Sequence, residues 1–228
     1  MQSISSAITN NVRRVREQIA EAASACGRDP SEIRLVAVSK RKPTELIRAA
    51  FAAGITDFGE NFLQEAVEKT ESLQDIDVTW HFIGAIQSNK TRSIAQHFHW
   101  VHTVASEKIA RRLSEQCPPD RTLNVCLQVN VDQDPNKAGV SPEHAGKLLA
   151  SALAMPRLRL RGLMTILQQD TDPAAGYRHL AELWTALKAS AGPHWDSLSM
   201  GMSGDFEAAI AAGATHVRIG TAIFGARD

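Results

Sequence analysis

Four short stretches of this chain carry side chains able to react with a carbonyl group or to grip an anion. Lys40 closes the apolar run Leu35-Val36-Ala37-Val38-Ser39, and Pro43 stops that run within three residues. In strand alternation Val36, Val38 and Lys40 share a face. An amine held at the mouth of an apolar layer loses hydration, which favours its neutral, nucleophilic form. A lysine that snorkels from a strand end into water is the other reading of the same position. Ser203 and Gly204 lie in Ser199-Met200-Gly201-Met202-Ser203-Gly204-Asp205, small residues between an apolar strand and a helical segment. Their backbone amides and the Ser203 hydroxyl suit a phosphate, although taken alone an ordinary cap, with Ser203 bonding its own helix, is the simpler reading. Near the end of the chain Arg218 and Gly220 face opposite to Val217 and Ile219, and Thr221 follows. An inward arginine needs a partner, which is either a structural carboxylate or a bound ligand. Asn61 ends Phe58-Gly59-Glu60-Asn61, and capping the next helix is the simpler role for it.

The elements that must position these residues alternate regularly. Strands are predicted over Leu35–Lys40, Thr56–Asn61, Thr79–Gly84, Trp100–Val104, Leu123–Asn130, Leu160–Ile166, Leu198–Met202 and His216–Gly220. Helical periodicity fills Thr44–Ala53, Phe62–Leu73, Ser106–Gln116, Pro142–Ala154, Ala174–Ala191 and Asp205–Ala212. Ahead of them Ile4, Ile8, Val12, Val15 and Ile19 mark an amphipathic N-terminal helix, expected to cover one end of the core. Eight strand–helix units in 228 residues predict an α/β fold, a single (β/α)8 TIM barrel domain over residues 1–228 with an extra N-terminal helix. A doubly wound open sheet is the alternative, but Arg41-Lys42-Pro43 stands where a glycine-rich dinucleotide loop would follow the first strand. In a barrel, strand one closes on strand eight. Lys40 should then lie beside the Ser203-Gly204 and Gly220-Thr221 turns, on the face where barrels bind phosphate.

Composition narrows the function further. Lys plus Arg and Asp plus Glu both total 25, so the formal net charge is zero and nothing suggests a nucleic-acid partner. Three cysteines without CxxC spacing argue against a disulfide framework or zinc site and fit a reducing cytoplasm. No run approaches the roughly 20 apolar residues of a membrane span. His97, His99 and His102 resemble a metal cluster, but His102 faces away from the other two, so no metal site is expected. The segment Gln87-Ser88-Asn89-Lys90 leaves Asn89 and Lys90 as a possible helix start, and Asn136-Lys137-Ala138-Gly139 reads as a solvated turn.

Taken together, Ala37-Val38-Ser39-Lys40, Phe58-Gly59-Glu60-Asn61, His81-Phe82-Ile83-Gly84, Gln87-Ser88-Asn89-Lys90, Arg161-Gly162-Leu163-Met164, Ser199-Met200-Gly201-Met202-Ser203 and the closing Val217 to Arg227 resemble the pyridoxal phosphate homeostasis protein family. That family is similar to the barrel domain of alanine racemase. The resemblance implies that Lys40 holds pyridoxal 5'-phosphate (PLP) as a Schiff base, with Ser203, Gly204, Gly220 and Thr221 on the phosphate and Arg218 near the pyridine nitrogen. Asn61 joins the expected cofactor-binding set. It further implies a role in intracellular PLP homeostasis without a firm catalytic activity, so no catalytic residue is assigned. Apo PLP-dependent enzymes would be the recipients. A racemase needs a second acid/base across the substrate from the lysine, and the only tyrosine, Tyr177, lies after strand six with no reason to reach the cofactor. A racemase-type PLP enzyme is the alternative, followed by a Schiff-base aldolase acting on a phosphosugar. Because the racemase dimer relies on an additional domain, a monomer is expected.

Overall fold

The computed structural model describes residues 2–168 and 172–225, with side chains from residue 5; Ala226 and Arg227 of the closing motif lie outside them. The strands are β1 (Arg34–Val38), β2 (Asp57–Glu60), β3 (Thr79–Phe82), β4 (Trp100–Val104), β5 (Leu123–Gln128), β6 (Leu158–Met164), β7 (Ser197–Ser199) and β8 (His216–Ile219). All pair in parallel, each with its sequence neighbour, and β1 closes on β8 to complete a barrel. The helices are α1 (Gln2–Ala25), α2 (Thr44–Ala52), α3 (Leu63–Ser72), α4 (Thr91–His97), α5 (Glu107–Gln116), α6 (Pro142–Leu153), α7 (Pro173–Leu187), α8 (Phe206–Ala211) and α9 (Thr221–Phe224). Among the described residues no helix is long and apolar enough to cross a membrane.

Several boundaries differ from the sequence expectation, mostly at the C-terminal ends of strands. Lys40 is not the last residue of its strand but sits in the turn two residues beyond Val38, because the chain leaves the ladder where it must reach the site. Asn61, Gly84, Ile166, Met202 and Gly220 likewise fall outside their strands. Two helices that periodicity missed, α4 and α9, span only seven and four residues, too short to show a repeat. α1 does not cover an end of the core. Ile8, Val12, Val15, Ile19 and Ala23 are buried where α1 packs beside α2, α8 and α9. Arg28 donates to the carbonyls of Ile210 (2.9 Å) and Ala214 (2.8 Å), and Asn11 to that of Ile223 (2.9 Å), so α1 fills the gap in the helical ring left by the short α9.

The apolar core lies between barrel and helices, where Phe58, Phe82, Phe98, Ile94, Val101 and Leu127 are fully or almost fully buried. Each such side chain contributes about 1.5–3 kcal/mol over leaving it exposed. Inside the barrel the filling is largely polar instead. Asp57, His81, His102, Ser199, His216 and Arg218 are buried there beside Trp100, Cys126 and Met164.

Gly162 fixes the β6–β7 seam. Its φ is 159°, and a Cβ on it would stand 1.6 Å from the Ser197 carbonyl oxygen. Gly162→Ala is expected to destabilise the protein by about 3 kcal/mol or more. Gly192→Ala, with a positive φ but no neighbour nearer than 4.0 Å, should cost about 1 kcal/mol. Urea midpoints measure both, and equal midpoints would contradict the packing described.

Candidate functional site

The turn that carries Lys40 is held from behind by a buried ionic cluster. Ser39 extends the ladder through its amide to Gly59 O (3.0 Å), and Lys42 N donates to Ser39 O (3.0 Å) to close the turn. Arg41 between them has φ 59°, a left-handed conformation that a side chain rarely adopts. Its amide donates to Glu65 Oε1 at 2.5 Å, which holds it there. Lys69 Nζ, on α3, donates to Ser39 O (2.7 Å), Glu60 Oε1 (2.7 Å) and Glu65 Oε1 (2.6 Å), while Ser39 Oγ donates to Glu60 Oε1 (2.6 Å). Burial pushes the Glu60 carboxyl above its ordinary range, against the pull of the Lys69 charge and of the hydrogen bonds from Lys69 and Ser39. Removing one partner of such a pair leaves a desolvated charge. Lys69→Met should therefore cost about 3–5 kcal/mol, and Lys69→Met with Glu60→Leu much less; denaturant unfolding of the two variants checks the difference.

In front of the turn lies a cleft of about 380 Å³, at the C-terminal ends of the strands. Lys40, Asn61, Ser203, Gly204, Arg218, Gly220 and Thr221 all line it, so the seven residues expected from the sequence meet in one place. Lys42 lines it too, with an apolar wall of Val38, Ile83, Ile166, Met202 and Phe224. Sequence reasoning passed over Lys42, although its place two residues from Lys40 in a turn was the available signal.

Two expected capping roles do not hold. The residue preceding α3 is Phe62, with no side-chain cap, and the buried Asn61 Oδ1 has no hydrogen-bond partner among the described residues. The Asn61 backbone is gripped instead: a Cβ on Gly84 would lie 2.0 Å from Asn61 O. The residue preceding α8 is Asp205 rather than Ser203. Asp205 Oδ1 accepts from Met202 N (2.7 Å), and Oδ2 accepts from Tyr177 Oη (2.8 Å). Those bonds brace the turn and leave Ser203 exposed on it. Among the described residues, the amides of Ser203, Gly204, Gly220 and Thr221 find no backbone acceptor. The four residues line the cleft, and amides without a backbone acceptor beside two hydroxyls are groups suited to a phosphate.

Arg218 forms no ion pair among the described residues, which removes the carboxylate partner as an explanation for it. Its Nη1 donates to Ser199 Oγ (2.7 Å) and its Nη2 to Thr165 O (2.8 Å). Both partners lie outside the expected set, because β7 and the segment beyond β6 are brought beside β8 by strand pairing that residue types alone do not reveal. His102 is buried inside the barrel, whereas His99 Nδ1 accepts from Trp80 N (2.9 Å) and His97 sits on α4. No metal-holding group occurs among the described residues. The Asn136 to Gly139 stretch forms a turn in which Lys137 donates to Ile166 O (3.2 Å).

The buried interior shapes the response to pH. Burial pulls the His81, His102 and His216 imidazoles below their ordinary 6.5. As pH falls through 6.5 the unfolded chain takes up protons that the folded chain refuses, so stability is lost. Burial raises Asp57, but hydrogen bonds from His81 and Thr56 and the Arg34 charge oppose it, and the carboxyl is held at about 2. Its contribution is present above the unfolded value of 3.8 and lost as pH falls from there towards 2. Thermal midpoints should thus decline from about pH 7 to pH 5 and drop again below about pH 4. A flat midpoint between pH 7 and pH 5 would contradict neutral buried histidines.

The fold and this cleft define a barrel of the alanine racemase type. Residues 5–228 match the family model described as alanine racemase, N-terminal domain. Alanine racemase from Corynebacterium glutamicum shares the fold at TM-score 0.71 and 19% identity, over 98% of this chain and 61% of the racemase. Within that class the chain belongs to the pyridoxal phosphate homeostasis protein family. It is 54% identical over 224 residues to the pyridoxal phosphate homeostasis protein of Pseudomonas aeruginosa, covering 98% of this chain and 97% of that one. PipY of Synechococcus elongatus PCC7942, solved with PLP bound, is 39% identical at TM-score 0.79, over 91% of this chain and all of PipY.

Proposed function

We propose that this protein binds pyridoxal 5'-phosphate in the cleft at the C-terminal ends of the strands, as a Schiff base on Lys40, and serves as a carrier in intracellular PLP homeostasis. The observation that carries this reading is the convergence on one cleft of the Lys40 turn, Arg218 and four amides that have no backbone acceptor among the described residues. The donor set fits the cofactor part by part. When bound, the cofactor supplies an aldehyde that condenses with a neutral amine and releases water. Ser203, Gly204, Gly220 and Thr221 would hold the phosphate, and Asn61 Oδ1 would gain the partner it lacks. Arg218 can only donate, so it would keep the ring nitrogen an acceptor and the ring a poor electron sink. That favours holding the cofactor over carbanion chemistry.

A non-catalytic role draws support from Tyr177, whose hydroxyl is committed to Asp205 behind the phosphate turn rather than standing across the cleft from Lys40. We place the protein in the cytoplasm as a monomeric, single-domain unit that hands PLP to apo-enzymes. Three free cysteines accord with a reducing compartment. A racemase-type enzyme is the second reading, because Lys42 brings another amine to the same cleft.

Purified protein mixed with PLP is expected to develop a visible absorption band that vanishes in Lys40→Ala and persists in Lys42→Ala. A colourless wild type, or a band that survives Lys40→Ala, would overturn the assignment. Deuterium exchange at the Cα of amino acids separates carrier from racemase: sustained Lys40-dependent exchange favours the racemase.

A further inference from the structure

A single file of hydrogen bonds crosses the barrel interior from Arg218 to its opposite end. Arg218 Nη1 meets Ser199 Oγ at 2.7 Å, and Ser199 Oγ meets His102 Nδ1 at 2.7 Å. His102 Nε2 lies 2.9 Å from His81 Nδ1, and His81 Nε2 lies 2.9 Å from Asp57 Oδ1. At the far end Arg34 Nη1 donates to Asp57 Oδ1 (3.0 Å) and Thr56 Oγ1 to Asp57 Oδ2 (2.8 Å). Ser199, His81 and His102 are fully buried, whereas Arg34 is 45% exposed and borders a second cleft of about 690 Å³ on the N-terminal face.

The two ends dictate the direction of every proton between them. An arginine can only donate and an ionised aspartate can only accept. Ser199 must therefore accept from Arg218 and give its one proton to His102 Nδ1. His102 then carries its proton on Nε2 and donates to His81 Nδ1, and His81 carries its proton on Nε2 and donates to Asp57. Each member is satisfied with both rings neutral, as their burial requires. With Nη1 and Nη2 each committed to a partner, the guanidinium is fixed in the wall of the cofactor cleft.

We propose that Asp57, His81, His102 and Ser199 form an oriented relay that positions Arg218 against the ring nitrogen of the cofactor, so that the exposed Arg34–Asp57 pair influences cofactor binding from the far side of the barrel. The proposal rests on the PLP reading above. None of the four touches the cleft, so they act through Arg218 and are positioning residues.

Ring nitrogen signals of 15N-histidine in the cofactor-free protein test the relay directly. Wild type should show His81 and His102 both neutral with the proton on Nε2. Asp57→Ala removes the terminal acceptor and should shift the His102 signals, although His102 does not touch Asp57. Asp57→Asn, which keeps a carbonyl acceptor, should restore them. For PLP, the dissociation constant should rise about tenfold in Asp57→Ala and in Ser199→Ala. The absorption maximum should move as well, with recovery in Asp57→Asn and in Ser199→Thr. A purely structural role would lower the thermal midpoint and leave the tautomer, the maximum and the affinity of the folded protein unchanged, which would overturn the relay. If Asp57→Ala does not fold, Ser199→Ala against Ser199→Thr decides the same question. Failure of the PLP reading would show separately, as wild type that binds no cofactor.

Discussion

Closure of the barrel between β1 and β8 is the constraint on which the rest depends. Arg34 pairs with His216, Val36 with Arg218 and Ala37 with Ile219. That register carries the turn after β1, with Lys40 and Lys42, to the same level as the turn after β8, with Gly220 and Thr221. A Cβ on Gly220 would stand 3.3 Å from Val38 O, which measures how closely the two turns approach. A slip of one residue would exchange the faces of the strand and send Arg218 out of the barrel. The neighbouring pairings of β6 with β7 and β7 with β8 bring Thr165, just beyond β6, and Ser199 to the same guanidinium.

The polar interior has its own consequence. Barrels of this type usually fill the interior with branched apolar side chains. Here histidines, a serine, an aspartate and an arginine are packed there at the risk of unsatisfied groups, and the hydrogen-bond chain meets nearly every demand. His216 Nε2 has no partner among the described residues, while its Nδ1 meets Thr215 Oγ1 (2.9 Å). Such a network specifies one arrangement of the barrel more sharply than an apolar filling would. It also makes the interior sensitive to protonation, since a charge on either relay histidine would oppose a fixed donor.

Much of the fold was legible in the sequence because the strands are short, largely apolar runs, most of them closed by Gly, Pro or Asn, and because eight such runs alternate with helical periodicity. The strand ends were not legible to the residue. The runs at Leu123 to Asn130 and Leu198 to Met202 stay apolar after the ladder stops, since the chain leaves the sheet but not the core. For the site, strand order and barrel closure were enough to bring Lys40, Ser203 and Arg218 together. For Asn61 and Ser203 the residues alone favour helix caps while the family resemblance points to the cofactor, because residue type and position are the same for a cap and for a ligand-facing turn. Only the observed partners, Asp205 taking the place before α8 and Asn61 Oδ1 unpaired among the described residues, separate the two. The relay from Arg34 to Arg218 could not be read at all: its members come from β1, β2, β3, β4, β7 and β8, and nothing in their spacing links them.

The proposed site thus combines a lysine on the turn after β1, four amides without a backbone acceptor among the described residues and an arginine that only donates. These parts suit the retention of an aldehyde phosphate and supply little of what a carbanion reaction would need from the ring nitrogen. The most direct test is a crystal structure of the protein soaked with PLP. Continuous density from Lys40 Nζ to the cofactor is expected, with phosphate oxygens within about 3.2 Å of the Ser203, Gly204, Gly220 and Thr221 amides and the ring nitrogen facing Arg218. Density joined to Lys42 instead, or a phosphate seated away from those turns, would contradict the account.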